Sequence, residues 1–154
     1  MKNIKYIIPF LALSFIFFAC DDGKKQVSEL RDQVMDVHDE AMAHIIDMKI
    51  MKKNLEKQLE MGNADGTLDS AMTVQLHTGI EALEKADDHM MQWMRNFEAP
   101  DNLPTDEALA YLNDQLKDIQ LVNEEVNESM AIAKPLVKEI PEEKENTDEE
   151  NNQE

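Results

Sequence analysis

Residues 89–94, His-Met-Met-Gln-Trp-Met, form the densest group of potential metal ligands in the sequence. Thioethers are soft ligands that suit Cu(I), and the face of an indole ring such as that of Trp93 can contact a cation. Copper binding is therefore one hypothesis for this segment. The candidate ligands are His38, His89, Met90, Met91 and Met94.

Helical geometry favours a plainer role for the same segment. Met90 and Met94 point into one apolar face of a helix, whereas His89 lies about 120° away from that face. A second helix would have to supply further ligands. Methionine also fills irregular gaps in helical cores, which accounts for the ten methionines that follow residue 19. Core packing is the favoured interpretation, and copper binding is the alternative.

The sequence contains no convincing catalytic pattern. His38-Asp39-Glu40 resembles the start of a zinc-protease motif, but that motif needs a second histidine at position 42, where Met42 stands. Neighbouring acids such as Asp87 and Asp88 point about 100° apart on a helix and are expected on a solvated face. We therefore expect a protein without enzymatic activity and without a cofactor.

Cys20, the only cysteine, follows an N-terminal segment with the three zones of a secretory signal. Two lysines begin the segment, and residues 7–18 form an apolar run that is shorter than the roughly 20 residues needed to cross a bilayer. Ala19 supplies the small side chain required at a cleavage site. The sequence Phe-Phe-Ala-Cys resembles a lipobox, with Phe17 where leucine is commoner.

We predict that residues 1–19 are a lipoprotein signal peptide and that Cys20 accepts a diacylglyceryl group. An uncleaved membrane anchor is the alternative. Residues 20–25 would then be a lipidated tether that holds the protein at a membrane of the cell envelope, since acyl chains make stable anchors.

The charge of the chain excludes one class of partner. Removing residues 1–19 deletes Lys2 and Lys5 and no acidic residue, so the net charge of −18 becomes −20. Such a surface repels nucleic acid and anionic headgroups. We expect no nucleic-acid partner, and contact with the membrane only through the lipid.

Apolar residues recur at helical spacing in three segments, predicted at about 25–61, 67–98 and 105–137. The first stripe comprises Leu30, Val34, Val37, Ala41, Ile45, Met48, Leu55 and Leu59. The second comprises Met72, Leu76, Gly79, Leu83, Ala86, Met90, Met94 and Phe97. The third comprises Ala108, Leu112, Leu116, Ile119, Val122, Val126, Met130, Ala133 and Val137.

Turn and cap residues set the predicted boundaries. Gly62 is expected to stop the first helix, Thr67 and Thr105 to cap the second and third, and Pro135 to kink or end the third. Gly79 is expected to mark a close contact between helices. Short loops then favour an all-α fold, an antiparallel three-helix bundle running up, down and up over residues 26–138. The acidic residues 139–154 are expected to be disordered.

Two stretches resemble short helical lipoproteins of Bacteroidota, which often carry the label "viral A-type inclusion protein". They are Val-His-Asp-Glu-Ala-Met at 37–42 and Ala-Asp-Asp-His-Met-Met-Gln-Trp-Met-Arg-Asn-Phe-Glu-Ala-Pro at 86–100. Glu-Ala-Leu-Ala-Tyr-Leu at 107–112 is similar to the opening of that family's third helix. The resemblance implies an envelope location and a helical fold, and no chemistry.

The acids Asp21 and Asp22 leave the exact membrane open. In enteric bacteria an aspartate after the lipidated cysteine resembles an inner-membrane retention signal. In Bacteroidota-type lipoproteins, acids at this place resemble part of a surface-export signal. We favour the outer membrane and leave the leaflet open.

Three aromatic residues bracket the second loop. Trp93, Phe97 and Tyr111 are expected to cluster there, either as core or as a protein-binding surface, because aromatic residues are enriched in binding hot spots. The leading functional hypothesis is a non-enzymatic envelope lipoprotein that acts by protein contact, as an adaptor or accessory subunit. Soft-metal binding is the alternative.

Overall fold

A computed structural model describes residues 19–138, in which every regular secondary-structure element is a helix. The elements are α1 (Ala19–Asp65), α2 (Ser70–Asn96), α3 (Thr105–Ala133) and a short 3-10 helix (Lys134–Leu136). The three long helices pack against one another. Residues 1–18 of the predicted signal peptide, and the predicted tail 139–154, lie outside the described residues.

The core consists of the three predicted stripes facing one another. Its fully buried large side chains are Val34, Met48, Leu55, Leu76, Leu83, Met90, Leu112, Ile119 and Val126. Stripe members near the helix ends, such as Leu30, Leu59 and Met72, are partly buried against this cluster. Burial of a side chain of this size contributes roughly 1.5–3 kcal/mol. The periodicity therefore identified the surfaces that hold the helices together.

The start of α1 differs from the prediction. The helix begins at Ala19 rather than Lys25, so the backbone of residues 20–25, predicted as a tether, is helical. Gly23 lies against the start of α3, where an added Cβ would come within 2.8 Å of Thr105 Cγ2. This contact extends helix packing to within three residues of Cys20.

The end of α1 corrects the predicted stop at Gly62. The helix continues to Asp65 and ends where Gly66 adopts a left-handed φ of 67°. The Thr67 amide then donates to the Gly62 carbonyl over 3.1 Å, which is the backbone pattern of a Schellman cap. Gly62 is buried beneath Leu68. Gly62 therefore belongs to the last turns of α1, and Gly66, the left-handed residue four positions later, ends the helix.

Both predicted N-caps are wrong. Asp69, not Thr67, caps α2, because its Oδ1 accepts the Met72 amide at 2.7 Å. Thr67 instead donates from its amide and hydroxyl to Asp65. Thr105 is the first residue of α3, and the capping position is taken by Pro104 without a side-chain bond.

The other end of α3 confirms two expectations. Gly79 is buried where α2 meets the end of α3, and an added Cβ would lie 2.9 Å from Leu55 Cδ1 and 3.1 Å from Leu136 Cδ1. The helix ends at Ala133, before Pro135, and a 3-10 turn follows. The predicted end at 137 was thus four residues too late.

Within residues 19–138 no helix is both long and apolar enough to cross a membrane.

Candidate functional site

Four rings form a continuous row across two helix interfaces, here called the aromatic row: His38, Trp93, Phe97 and Tyr111. The His38 and Trp93 ring centroids are 5.5 Å apart, and Trp93 stacks on Phe97 at 5.0 Å. Phe97 contacts Tyr111 at 6.2 Å. The sequence predicted the grouping of the last three, and the structure adds His38, which joins the row from α1.

Burial within the aromatic row is uneven. Trp93 is only 7% exposed and belongs to the core, although the predicted second stripe does not include it. Phe97 and Tyr111 are half-buried, and the Tyr111 hydroxyl accepts the Glu98 amide at 2.9 Å. This bond gives an acceptor to the backbone amide that follows the C-cap of α2. Three members of the row, His38, Phe97 and Tyr111, are therefore partly exposed, and Trp93 is the one buried member.

An open groove lies between α2 and α3 beside Trp93, and we call it the α2–α3 groove. Its volume is about 360 Å³. The lining residues are His89, Gln92, Trp93, Asn96, Gln115, Asp118 and Val122. The Trp93 Nε1 is buried and has no hydrogen-bond partner among the described residues. Three amide side chains at the rim can both donate and accept hydrogen bonds.

One rim residue of this groove belongs to a charged cluster. The His89 ring contacts the Glu125 carboxylate, which also accepts a hydrogen bond from Lys85 Nζ at 3.1 Å. Burial raises the pKa of Glu125, but the bonds from Lys85 and His89 outweigh it and hold that pKa below its ordinary value. Glu125 is therefore an ionised partner that fixes the histidine at the groove.

The candidate copper ligands occupy different surroundings. Met90 is fully buried in the core, and Met91 and Met94 are half-buried against it. His89 faces Glu125, and His38 Nδ1 lies 2.8 Å from Asp39 Oδ1. Among the described residues, no three His, Cys, Asp or Glu side chains are grouped to hold a metal ion. Copper binding stays a prediction, which titration with Cu(I) would test.

A second cavity, of about 280 Å³, lies where α1 passes the loop between α2 and α3. Lys24 and Arg31 from α1 line one side of it, and Pro100 and Leu103 from the loop line the other. Arg31 reaches Asp101 at 3.7 Å. The cavity is near the start of α1, where the backbone of Cys20 is helical.

Sequence reasoning missed the pairing of Glu125 with Lys85 and His89. Glu125 was one acid among many, and its partners are 40 and 36 residues away in the chain. Only the packing of α2 on α3 brings the three together.

Comparisons with known proteins give no relative. No family model matches the chain, and neither the curated proteins nor the solved structures include a match.

Proposed function

We propose that this protein is a non-enzymatic lipoprotein of the cell envelope that is anchored through Cys20 and binds another protein at the α2–α3 groove. The observation that carries the proposal is the groove itself, in which amide side chains surround a tryptophan. The anchor is inferred from the leader and lipobox-like sequence. The outer membrane is the favoured location.

The chemistry of the groove suits an extended stretch of peptide. Gln92 and Asn96 are exposed one turn apart on α2, and Gln115 faces them from α3. Amide side chains match both the N–H and the C=O groups of a peptide backbone. Trp93 and Val122 add apolar lining that the side chains of such a peptide can contact.

We also infer that the three helices run up, down and up. Pairs between α1 and α2 support this direction, because Lys49 reaches Asp87 whereas the later Lys52 reaches the earlier Glu84. Pairs between α2 and α3 follow the same rule. Gly79 lies near Ala133, and Phe97 lies near Tyr111.

The anchor is tested with the full chain expressed in a bacterial host fed labelled palmitate. We expect label on the protein and its recovery with the membranes, and loss of both in Cys20→Ser. Retention of the label by Cys20→Ser would exclude this cysteine as the acceptor. A labelled chain that stays soluble would exclude anchoring.

The groove is tested by placing a photo-crosslinking amino acid at Gln92 in the full chain. The matched control is Gln75, which is also exposed on α2 but does not line the groove. We expect a discrete crosslinked protein from Gln92 and none from Gln75. Equal products from both positions, or none from Gln92, would contradict binding at the groove.

A further inference from the structure

A second surface, on the outer side of α1, carries a pattern that the groove does not explain. Ile46 is 71% exposed and Ile50 is 55% exposed. Among the described residues these are the only two exposed large apolar side chains one helical turn apart. Isolated exposed apolar residues are ordinary, whereas adjacent ones suggest a contact surface.

The residues before and after this pair on α1 follow the spacing of the contact positions, or seam, of a coiled coil. We call the set the α1 strip, and its members are Asp36, Asp39, Ala43, Ile46, Ile50, Lys53 and Lys57. They are separated alternately by three and four residues, as are the seam positions of a coiled coil. All lie within about 50° of a line pointing away from the core. Six are exposed, and Lys57 is half-buried.

Charge along the α1 strip is segregated by sign. Two aspartates occupy its first part, apolar residues its middle and two lysines its last part. Laid against itself in reverse around Ile46, the strip places Asp39 opposite Lys53, and it places Asp36 within one residue of the position opposite Lys57. Ala43 then lies within one residue of the position opposite Ile50, so that a small side chain meets a large one. A parallel arrangement would instead oppose like charges, which disfavours association.

The ends of the strip limit the matched surface. One step beyond it in the same register, Asp32 would face Glu60, and both are acidic and exposed. The two aspartates and two lysines within the strip cancel. The strip is therefore a neutral surface on a chain whose net charge after residue 19 is −20. Two such chains repel over most of their surfaces, but not along this strip.

We propose that the α1 strip is the interface of a homodimer in which two copies of α1 pack antiparallel, with the twofold axis at Ile46. A twofold axis requires a surface that is complementary to itself, and the reversed order of charges supplies that property. The interface is on a different surface from the α2–α3 groove. It depends neither on the groove nor on lipidation.

The association is tested with residues 21–154, which retain every residue of the core and contain no cysteine. Sedimentation equilibrium over a wide concentration range should show a monomer–dimer equilibrium. Ile46→Glu should raise the dimer dissociation constant at least about tenfold. Val74→Glu is the matched control, since Val74 is 63% exposed on α2, and it should leave the constant unchanged. A monomer throughout, or equal effects of the two variants, would overturn the proposal.

The charge pairing is tested by reversal. Asp39→Lys and Lys53→Asp should each weaken the homodimer, because each places like charges together. A mixture of the two variants should form heterodimers as tight as the original dimer, as should a chain carrying both changes. Failure of both the mixture and the double variant to recover would overturn the pairing. Thermal melts followed by circular dichroism verify that each variant is folded.

The direction of the helices is tested by thiol crosslinking. A chain with Ala43→Cys should crosslink to a chain with Ile50→Cys when the two are mixed, and each alone should crosslink weakly. The opposite result, efficient crosslinking of each variant with itself, would establish a parallel pair and overturn the antiparallel interface.

Discussion

Burial and pairing with its neighbours shift the pKa of Glu125 in opposite directions. Desolvation favours the neutral acid, whereas Lys85 and His89 favour the carboxylate and prevail. The folded state therefore binds this proton more weakly than the unfolded chain does. Stability from Glu125 is present above the unfolded pKa and is lost as the pH falls through the lowered folded value.

Glu125→Gln should thus reduce stability at neutral pH and not in acid. Since the carboxylate is 32% exposed, we expect a loss of about 0.5 kcal/mol at pH 7. The difference from the parent should shrink as the pH falls below the unfolded pKa of about 4.3 and vanish below the lowered folded pKa. Urea unfolding at pH 7 and pH 3 measures both values. Glu128→Gln, at an exposed acid on the same helix, should change neither. An equal loss at both pH values would assign the effect to packing instead of charge.

Asp69 carries the cap of α2 through one side-chain oxygen, the 2.7 Å acceptor of the Met72 amide. Asp69→Ala should lower the free energy of unfolding by about 1 kcal/mol, because that amide loses its acceptor. Asp69→Asn keeps an oxygen at the same place and should cost much less. Denaturant unfolding of the two variants measures the difference. Equal losses would show that charge near the helix terminus, and not the hydrogen bond, supplies the stability.

For whole helices, the sequence predicted which face of each helix is buried better than it predicted where each helix begins and ends. Val34, Leu83 and Ile119 occupy the centres of their stripes and are buried as expected, because burial follows the 3.6-residue period over many turns. A helix end depends on a single local choice. Thr67 and Asp69 are both good caps by type, and only the backbone path set by Gly66 decides between them.

One part of the candidate site could be predicted from the sequence, and another part could not. The clustering of Trp93, Phe97 and Tyr111 was predictable because the three residues flank one short loop. The α2–α3 groove was not, since Gln92 and Gln115 are polar residues that a helical wheel assigns to solvent. Their meeting across a groove depends on the angle and register of two packed helices, which periodicity within one helix does not contain.

Gly79 lies where α2 packs closely against the end of α3. Gly79→Val should destabilise the protein by roughly 1–3 kcal/mol, because the added methyl groups must displace Leu55 and Leu136. Leu136→Ala alone should also destabilise it by removing part of the packing. Combined in one chain, the two changes should cost less than the sum of their separate effects, since the second makes room for the first. Urea unfolding of all four chains measures this coupling, and strict additivity would contradict the contact.

For the molecule as a whole, the proposed dimer and the proposed anchor constrain each other. The axis at Ile46 is 26 residues from Cys20 along α1, about 39 Å at 1.5 Å per residue. An antiparallel pair would therefore separate the two lipids by about 78 Å along the paired helices. Both lipids enter one bilayer when α1 lies along the membrane surface. A pair standing upright would place its lipids in two facing membranes.

Charge at the C-terminus gives the last test of this arrangement. Residues 139–154 contain eight acidic residues and one lysine, so ending the chain at Lys138 reduces the net charge of residues 20 onward from −20 to −13. Among the described residues, the last apolar residue packed against the core is Val137. Because the composition of the tail predicts disorder, we expect the melting temperature of the shortened chain to be unchanged.

Removing residues 139–154 should strengthen dimerisation without changing the stability of the fold, because the repulsion between two copies falls as their net charge falls. We expect the shortened chain to dimerise several-fold more tightly in low salt, and the two chains to converge as salt rises and screens the repulsion. Sedimentation at several salt concentrations measures both effects. A lower melting temperature would instead place part of the tail in the folded structure, and weaker association would place it in the interface.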